Sequence, residues 1–138
     1  GTDSLYARTL QRSGLIDWFN NSWFAADGAA YATPELAYIA PPLDGVWATA
    51  PYFHNGSVPD LAGVLDSTRR PQRWTRSFQT RVEDYDLDNV GWVYSESSER
   101  GPGVFDTTVP GYGNGGHTFS DDLAPDDLAA LLEYLKTL

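Results

Sequence analysis

The stretch "PLDGVWATAPYFHNGSVPDLAGVL", Pro42 to Leu65, decides how this chain folds. Proline occurs at three of its positions: Pro42, Pro51 and Pro59. Because proline lacks an amide hydrogen and clashes with a preceding helical turn, these positions forbid long regular elements. Apolar side chains recur at helical spacing only after Ser57, at Leu61, Val64 and Leu65. The stretch therefore predicts an ordered loop that leads into a short helix.

The clearest helix signal lies at the C-terminal end of the sequence, in "LAPDDLAALLEYLKTL". Pro125 suits the first position of a helix, and Asp126 and Asp127 complement the positive end of its dipole. Five leucines form one apolar stripe at helical spacing: Leu128, Leu131, Leu132, Leu135 and Leu138. We expect a C-terminal amphipathic helix that packs on a partner helix.

The remaining segments carry weaker signals. Residues 1–14 predict a short helix, and Pro34 favours one or two helical turns in "TPELAYI". The arginine-rich segment that follows Arg69 is interpreted as extended loop, with a short hairpin around Asp88-Asn89. Together these features predict a mainly α, loop-rich fold in a single domain over residues 1–138.

The composition limits the classes of function. Asp and Glu number 19 against 9 Lys and Arg, which gives a formal net charge of −10 at pH 7. This balance argues against nucleic acid or an anionic membrane surface as the main partner. No apolar run approaches the roughly 18–20 residues of a membrane-spanning helix, so we expect no membrane span. Cysteine is absent, which excludes disulfides and thiolate metal sites, and a chain that begins Gly-Thr-Asp is expected to be processed or cut from something longer.

One histidine stands in an unusual setting, the stretch "GYGNGGHTFSDD", Gly111 to Asp122. Glycine-rich backbone is costly to order, and it can approach a flat surface closely. Two hypotheses follow for His117. It is either a hydrogen-bonded loop histidine, or an axial ligand that reaches a haem iron.

Six motifs follow one another along the chain: Gly45 to Leu61, Arg70-Pro71, Tyr85-Asp86 with Val90-Gly91, Phe105 to Thr107, Gly113 to His117, and Leu131 to Leu138. In this order they resemble the C-terminal haem domain of bacterial di-haem cytochromes c. The resemblance is to the rubber oxygenase-like proteins, which are related to the di-haem cytochrome c peroxidases. It covers most of the chain from about Tyr38 onward, and "GVWATAPYFHN" is its most specific part. The fold it implies is an incomplete, C-terminal part of a cytochrome c domain.

The resemblance also implies roles for individual residues. His117 matches the distal axial ligand of the C-terminal haem iron. The cofactor-binding residues that it implies lie in the loop packed against the haem edge and its propionates: Trp47, Tyr52, Phe53 and His54. Thr49 and Pro51 match positions whose backbone carbonyls bind a calcium ion in the peroxidases.

The C-x-x-C-H motif that attaches haem c and supplies its proximal histidine is missing, because the chain has no cysteine. Three explanations compete. The chain is the C-terminal piece of a longer or cleaved protein, a separate subunit that complements a haem-bearing partner, or a degenerate domain that lost the cofactor. The first two imply haem c on a C-x-x-C-H outside this chain, carried by an N-terminal segment or a second chain.

The function expected from the resemblance is to form part of a c-type haem pocket in an electron-transfer or oxidative cytochrome. A redox partner protein and a periplasmic or extracellular location are implied with it. Any enzymatic role would be as part of a haem-dependent oxidoreductase, peroxidase- or oxygenase-like, whose catalytic haem lies elsewhere. The alternative is a haem-free structural or binding subunit, in which the aromatic residues and Arg69 to Arg81 form a protein interface.

Overall fold

A computed structural model describes residues 2–12, 14–26, 28, 30–33 and 35–138. Contacts within the chain divide it into two compact units, Ser4–Pro41 and a larger unit of Gly1–Asp3 with Pro42–Leu138. The single partial cytochrome c-like domain over residues 1–138 stays a prediction.

The smaller unit contains helices α1 (Leu5–Arg12) and α2 (Leu15–Asn20) and a 3-10 turn, Trp23–Ala25. The short N-terminal helix expected from residues 1–14 is therefore confirmed. The helical turns expected in "TPELAYI" are not found, since residues 35–39 are described without a helix, and Pro34 lies outside the described residues. Aromatic rings hold this unit together, with Trp23 stacked on Phe24 at a centroid distance of 4.0 Å.

The larger unit contains helices α3 (Leu61–Leu65) and α4 (Pro125–Leu135). Its strands are β1 (Arg73–Arg76), β2 (Tyr85–Asp86), β3 (Gly91–Trp92), β4 (Tyr94–Glu96) and β5 (Phe105–Asp106). They form an antiparallel sheet in the order β4-β1-β5 and a separate hairpin of β2 and β3. Three further 3-10 turns are Val46–Ala48, Ser67–Arg69 and Val82–Asp84.

The expectation of a mainly α fold is wrong. About 31% of the described chain is helical and 12% is strand, the latter in antiparallel sheets. Aromatic packing explains the sheet, because Trp74 on β1 is buried and lies 5.3 Å from the ring of Phe105 on β5 and 6.1 Å from that of Tyr94 on β4. Cross-strand aromatic pairs of this kind stabilise neighbouring strands. The hairpin expected around Asp88-Asn89 is confirmed, with Tyr85 opposite Trp92.

The C-terminal helix forms as expected, and it packs on α3. Asp60 caps the start of α3, since its Oδ1 accepts a hydrogen bond from the Gly63 amide at 2.6 Å. The core between these helices is a cluster of five buried side chains: Tyr52, Val58, Leu61, Val90 and Leu135. Among the described helices, none combines the length and apolarity needed to cross a bilayer.

Candidate functional site

The backbone forms a tight bend from Tyr52 to Val58, directly after Pro51. The amide of Tyr52 donates to the Val58 carbonyl at 2.7 Å, which closes a short loop between them. Inside this loop the Asn55 side chain accepts from the Ser57 amide at 3.1 Å, and Phe53 adopts a positive φ of 66°. Tyr52 is buried in the core cluster, while Phe53 is half-buried and packs both against that cluster and against the His117 ring.

Two side chains, Asn55 and Asp3, hydrogen-bond to the backbone of the glycine loop, residues 111–117. The Asn55 amide donates to the Gly111 carbonyl at 3.1 Å and to the Gly113 carbonyl at 2.9 Å. The Asp3 carboxylate accepts from the Gly111 amide at 2.9 Å and from the Gly113 amide at 3.2 Å. These hydrogen bonds offset part of the entropy cost of ordering glycine-rich backbone.

Arg70 fixes the rest of the glycine loop with its guanidinium group. Guanidinium has five N–H donors, and in Arg70 each finds a backbone carbonyl. Two of these carbonyls end α3 and three belong to the loop: Gly63 at 2.7 Å, Val64 at 3.1 Å, Asn114 at 2.9 Å, Gly116 at 2.6 Å and His117 at 2.9 Å. A cation also suits the last carbonyls of a helix, which have no partner within the helix.

The His117 imidazole lies at the end of this loop between two aromatic rings. The Phe53 ring is 4.7 Å away with its plane inclined by 29°, and the Phe119 ring is 6.0 Å away and perpendicular. Residue 117 remains solvent-exposed. Partial burial of the ring, followed by the charges of Arg70 and His54, lowers the pKa of His117. The imidazole is therefore largely neutral at neutral pH, and a ring nitrogen keeps its lone pair.

The residues singled out from the sequence thus separate into two groups. Phe53, His54 and His117 come together at one surface, where His54 is near enough to affect the pKa of His117. Tyr52 points into the core, where its hydroxyl donates to the Val46 carbonyl at 3.1 Å and burial raises its pKa. Trp47 is held at the chain terminus, because its indole donates to the Leu138 carbonyl at 3.2 Å.

The positions expected to bind calcium lie beside the bend. The Thr49 hydroxyl donates to the Val46 carbonyl at 2.9 Å, and Pro51 follows a cis peptide bond. Within the described residues, no three His, Asp or Glu side chains are grouped so as to hold a metal ion. A calcium site built from the backbone carbonyls of Thr49 and Pro51 stays a prediction.

Sequence reasoning missed the role of Arg70. It appeared there only in an arginine-rich segment and in an Arg-Pro pair. Its partners are backbone carbonyls, which every residue carries, so no residue pattern could reveal them. The one available signal was that a cation follows the predicted short helix closely.

A comparison with protein families matches a part of the chain that includes both the bend and Arg70. Residues 37–75 match the family model described as RoxA-like, cytochrome c-like. This match supports the rubber oxygenase-like cytochrome family, and with it a haem-related role.

Two curated proteins of Sinorhizobium fredii (strain NBRC 101917 / NGR234) are also similar to this chain. Uncharacterized protein y4iJ is 44% identical over 113 residues, which cover 75% of the chain and 18% of that protein. Uncharacterized protein y4iM is 33% identical over 129 residues, which cover 78% of the chain and 29% of that protein. The chain therefore spans less than a third of either relative.

The residues present fit one half of a haem site. A neutral histidine on an ordered loop is a suitable axial ligand for haem iron. Phe53 and the highly exposed Phe119 offer apolar surface on either side of it. Thioether attachment does not fit this chain, because it has no cysteine.

Proposed function

We propose that this chain forms part of a c-type haem pocket and supplies His117 as the distal axial ligand. The observation that carries the proposal is the state of one side chain. Residue 117 is solvent-exposed, its imidazole lies 4.7 Å from the Phe53 ring, and hydrogen bonds from Arg70 to the Gly116 and His117 carbonyls fix its backbone.

The other residues of the site act by shaping the pocket. Phe53 and Phe119 offer apolar surface on two sides of the imidazole, and the Trp47–Asn55 segment would exclude water from the haem edge once the haem is bound. Haem supplies one-electron redox chemistry at its iron. If the haem-bearing segment supplies a second histidine, the haem that His117 would help to hold would serve electron transfer.

The partner in this proposal is the segment or second chain that carries the haem on C-x-x-C-H. Support comes from the small share of each relative that the chain covers, which leaves ample sequence for such a segment. Haem c attachment there, a redox partner protein and a periplasmic or extracellular location belong to the same proposal. The Thr49 and Pro51 carbonyls keep the calcium role in it.

The haem-free binding subunit is less well supported. It relies on the aromatic residues and on the arginines from Arg69 to Arg81 to form a protein interface. Four of these have partners within the chain: Arg69 with Asn89, Arg70 with the glycine loop, Arg73 with Asp106, and Arg76 over the Trp92 ring. Their charges are largely used in holding the larger unit together.

The test is the absorption spectrum of the natural full-length protein, matured with haem, as wild type, His117→Ala and His54→Ala. His54→Ala is the comparison, since it removes the only other imidazole in the sequence. We expect a low-spin ferric spectrum for wild type and His54→Ala, and loss of the low-spin species in His117→Ala. A low-spin spectrum in all three, or its loss in His54→Ala alone, would remove His117 from the ligand role.

A further inference from the structure

Arg70 is joined to His117 by two separate routes. The first is through the backbone, where the guanidinium donates to the carbonyls of Gly116 at 2.6 Å and His117 itself at 2.9 Å. The same group donates to the Gly63 and Val64 carbonyls of α3. The position of the His117 backbone is therefore set by a helix that packs on the core.

The second route is through the aromatic ring beside the imidazole. The Arg70 guanidinium carbon lies over the Phe53 ring, 5.0 Å from its centroid. Phe53 in turn lies against the His117 ring. A planar cation on an aromatic face is attractive and restricts the ring, so Arg70 also limits how Phe53 packs on the imidazole.

We propose that Arg70 is the positioning residue of His117, which it holds through the loop carbonyls and through Phe53. The proposal rests on the proposed function in one respect, namely that the imidazole positioned by Arg70 is a ligand of the haem iron. Arg70 itself need not contact the haem. Its part is to keep the imidazole in one orientation, so that the ligand meets the iron without a search among loop conformers.

The side-chain chemistry of Arg70 makes this role specific to arginine. A lysine ammonium keeps the charge but has three donors on one nitrogen, and it cannot span carbonyls of both α3 and the glycine loop. It also lacks the planar group that lies on Phe53. Arg70→Lys therefore removes the positioning and keeps the charge.

The experiment measures how fast His117 leaves the iron in the natural full-length haem protein. Added cyanide replaces the ligand in ferric protein, and at high cyanide the rate equals that of His117 dissociation. Because Arg70→Lys loses several hydrogen bonds to the loop, we expect the dissociation rate to rise at least about tenfold. The low-spin EPR signal is expected to broaden as the imidazole samples more orientations.

Two control variants separate positioning from general stability. Arg73→Lys is the same substitution three positions away, on an arginine whose ion pair with Asp106 lysine can also make. Leu135→Val weakens the core without touching the glycine loop. We expect both controls to exchange at the wild-type rate. A rate for Arg70→Lys within twofold of wild type, or an equal rise in Leu135→Val, overturns the proposal.

Phe53→Leu covers the case in which Arg70→Lys does not fold. It removes the aromatic route and leaves the five Arg70 hydrogen bonds in place, so a smaller rise in the exchange rate is expected. An unchanged rate in that variant overturns the proposal. The spin state of His117→Ala reports separately on whether His117 binds iron at all, so failure of the proposed function is distinguished from failure of the role given to Arg70.

Discussion

The Phe53 ring lies against the His117 imidazole, with the ring centroids 4.7 Å apart and the planes inclined by 29°. Both residues have left-handed backbone, with φ of 66° for Phe53 and 50° for His117. Non-glycine residues in this region cost about 1–3 kcal/mol each and concentrate at functional sites. The contact joins two segments that are distant in sequence. Its two partners therefore share an uncommon backbone conformation, which Val90 of the core also adopts.

Gly116 is required by the space around it, and Gly116→Ala tests this. A Cβ there would lie 2.5 Å from the Thr2 hydroxyl and 2.6 Å from the Thr2 amide nitrogen, at a φ of +82°. We expect the free energy of unfolding to fall by about 2–4 kcal/mol, from positive φ and overpacking together. Urea unfolding measures it. Gly45→Ala is the matched control, since Gly45 has a φ of +73° with nothing within 4 Å, and about 1 kcal/mol is expected there. Equal losses in the free energy of unfolding for Gly116→Ala and Gly45→Ala would contradict the close approach of Thr2 to Gly116.

Asn55 is expected to carry much of the glycine loop's stability. Asn55→Ala removes the donor to the Gly111 carbonyl, leaves the Gly113 carbonyl with the Ser57 hydroxyl at 3.3 Å, and removes the acceptor of the Ser57 amide. The expected loss is about 1–3 kcal/mol in the free energy of unfolding, with faster amide exchange in the loop. Asn114→Ala, which removes a single bond to the Pro71 carbonyl, should lose less. A larger loss in the free energy of unfolding for Asn114→Ala than for Asn55→Ala would contradict this prediction.

Acid should weaken the sheet through Asp106. The Thr108 hydroxyl, the Thr108 amide and Arg73 hydrogen-bond its carboxylate and lower its pKa to about 2, from an ordinary value near 3.9. Since the folded pKa is the lower one, this stabilisation is present above about pH 4 and is lost as pH falls through about 2. Asp106→Asn should flatten the dependence of stability on pH between those values, and Thr108→Val should reduce it. Stability followed by circular dichroism at several pH values measures both, and an unchanged slope in Asp106→Asn would be the contrary result.

Trp74 connects the sheet to the bend. Its indole donates to the Ser57 carbonyl at 3.2 Å, and its ring stacks on Phe105. Trp74→Phe keeps a ring and loses the donor, so we expect a loss of about 1–2 kcal/mol in thermal or urea unfolding. Trp23→Phe makes the same change at a highly exposed position, where an effect within about 0.5 kcal/mol is expected. If Trp74→Phe left the free energy of unfolding unchanged, the aromatic ring alone would connect the sheet to the bend.

Sequence patterns predicted the long and local features of this fold. The α4 helix follows from leucines at helical spacing behind Pro125, and the hairpin follows from turn residues at Asp88-Asn89. The β4-β1-β5 sheet escaped prediction because its strands have two to four residues, too few to show a period of two. Its pairing depends on aromatic contacts between residues far apart in sequence, which local patterns do not carry.

The candidate site was predictable to a similar extent. The setting of His117 among glycines drew attention to it, and the resemblance added Phe53 and His54. The resemblance also implied Trp47 and Tyr52, and their side chains hydrogen-bond to the Leu138 and Val46 carbonyls. The tight bend closed by the Tyr52–Val58 bridge, with Phe53 in a left-handed conformation, sends neighbouring side chains to different partners, which local sequence patterns do not show.

The most direct test of the central claim is chemical rescue of the proposed ligand in the full-length haem protein. His117→Gly removes the imidazole at a position with positive φ, where glycine is well tolerated. The measurement is the iron spin state by EPR and absorption, before and after imidazole is added. The account predicts that the low-spin signal is lost in the variant and returns with imidazole. A variant that stays low-spin without imidazole would contradict it.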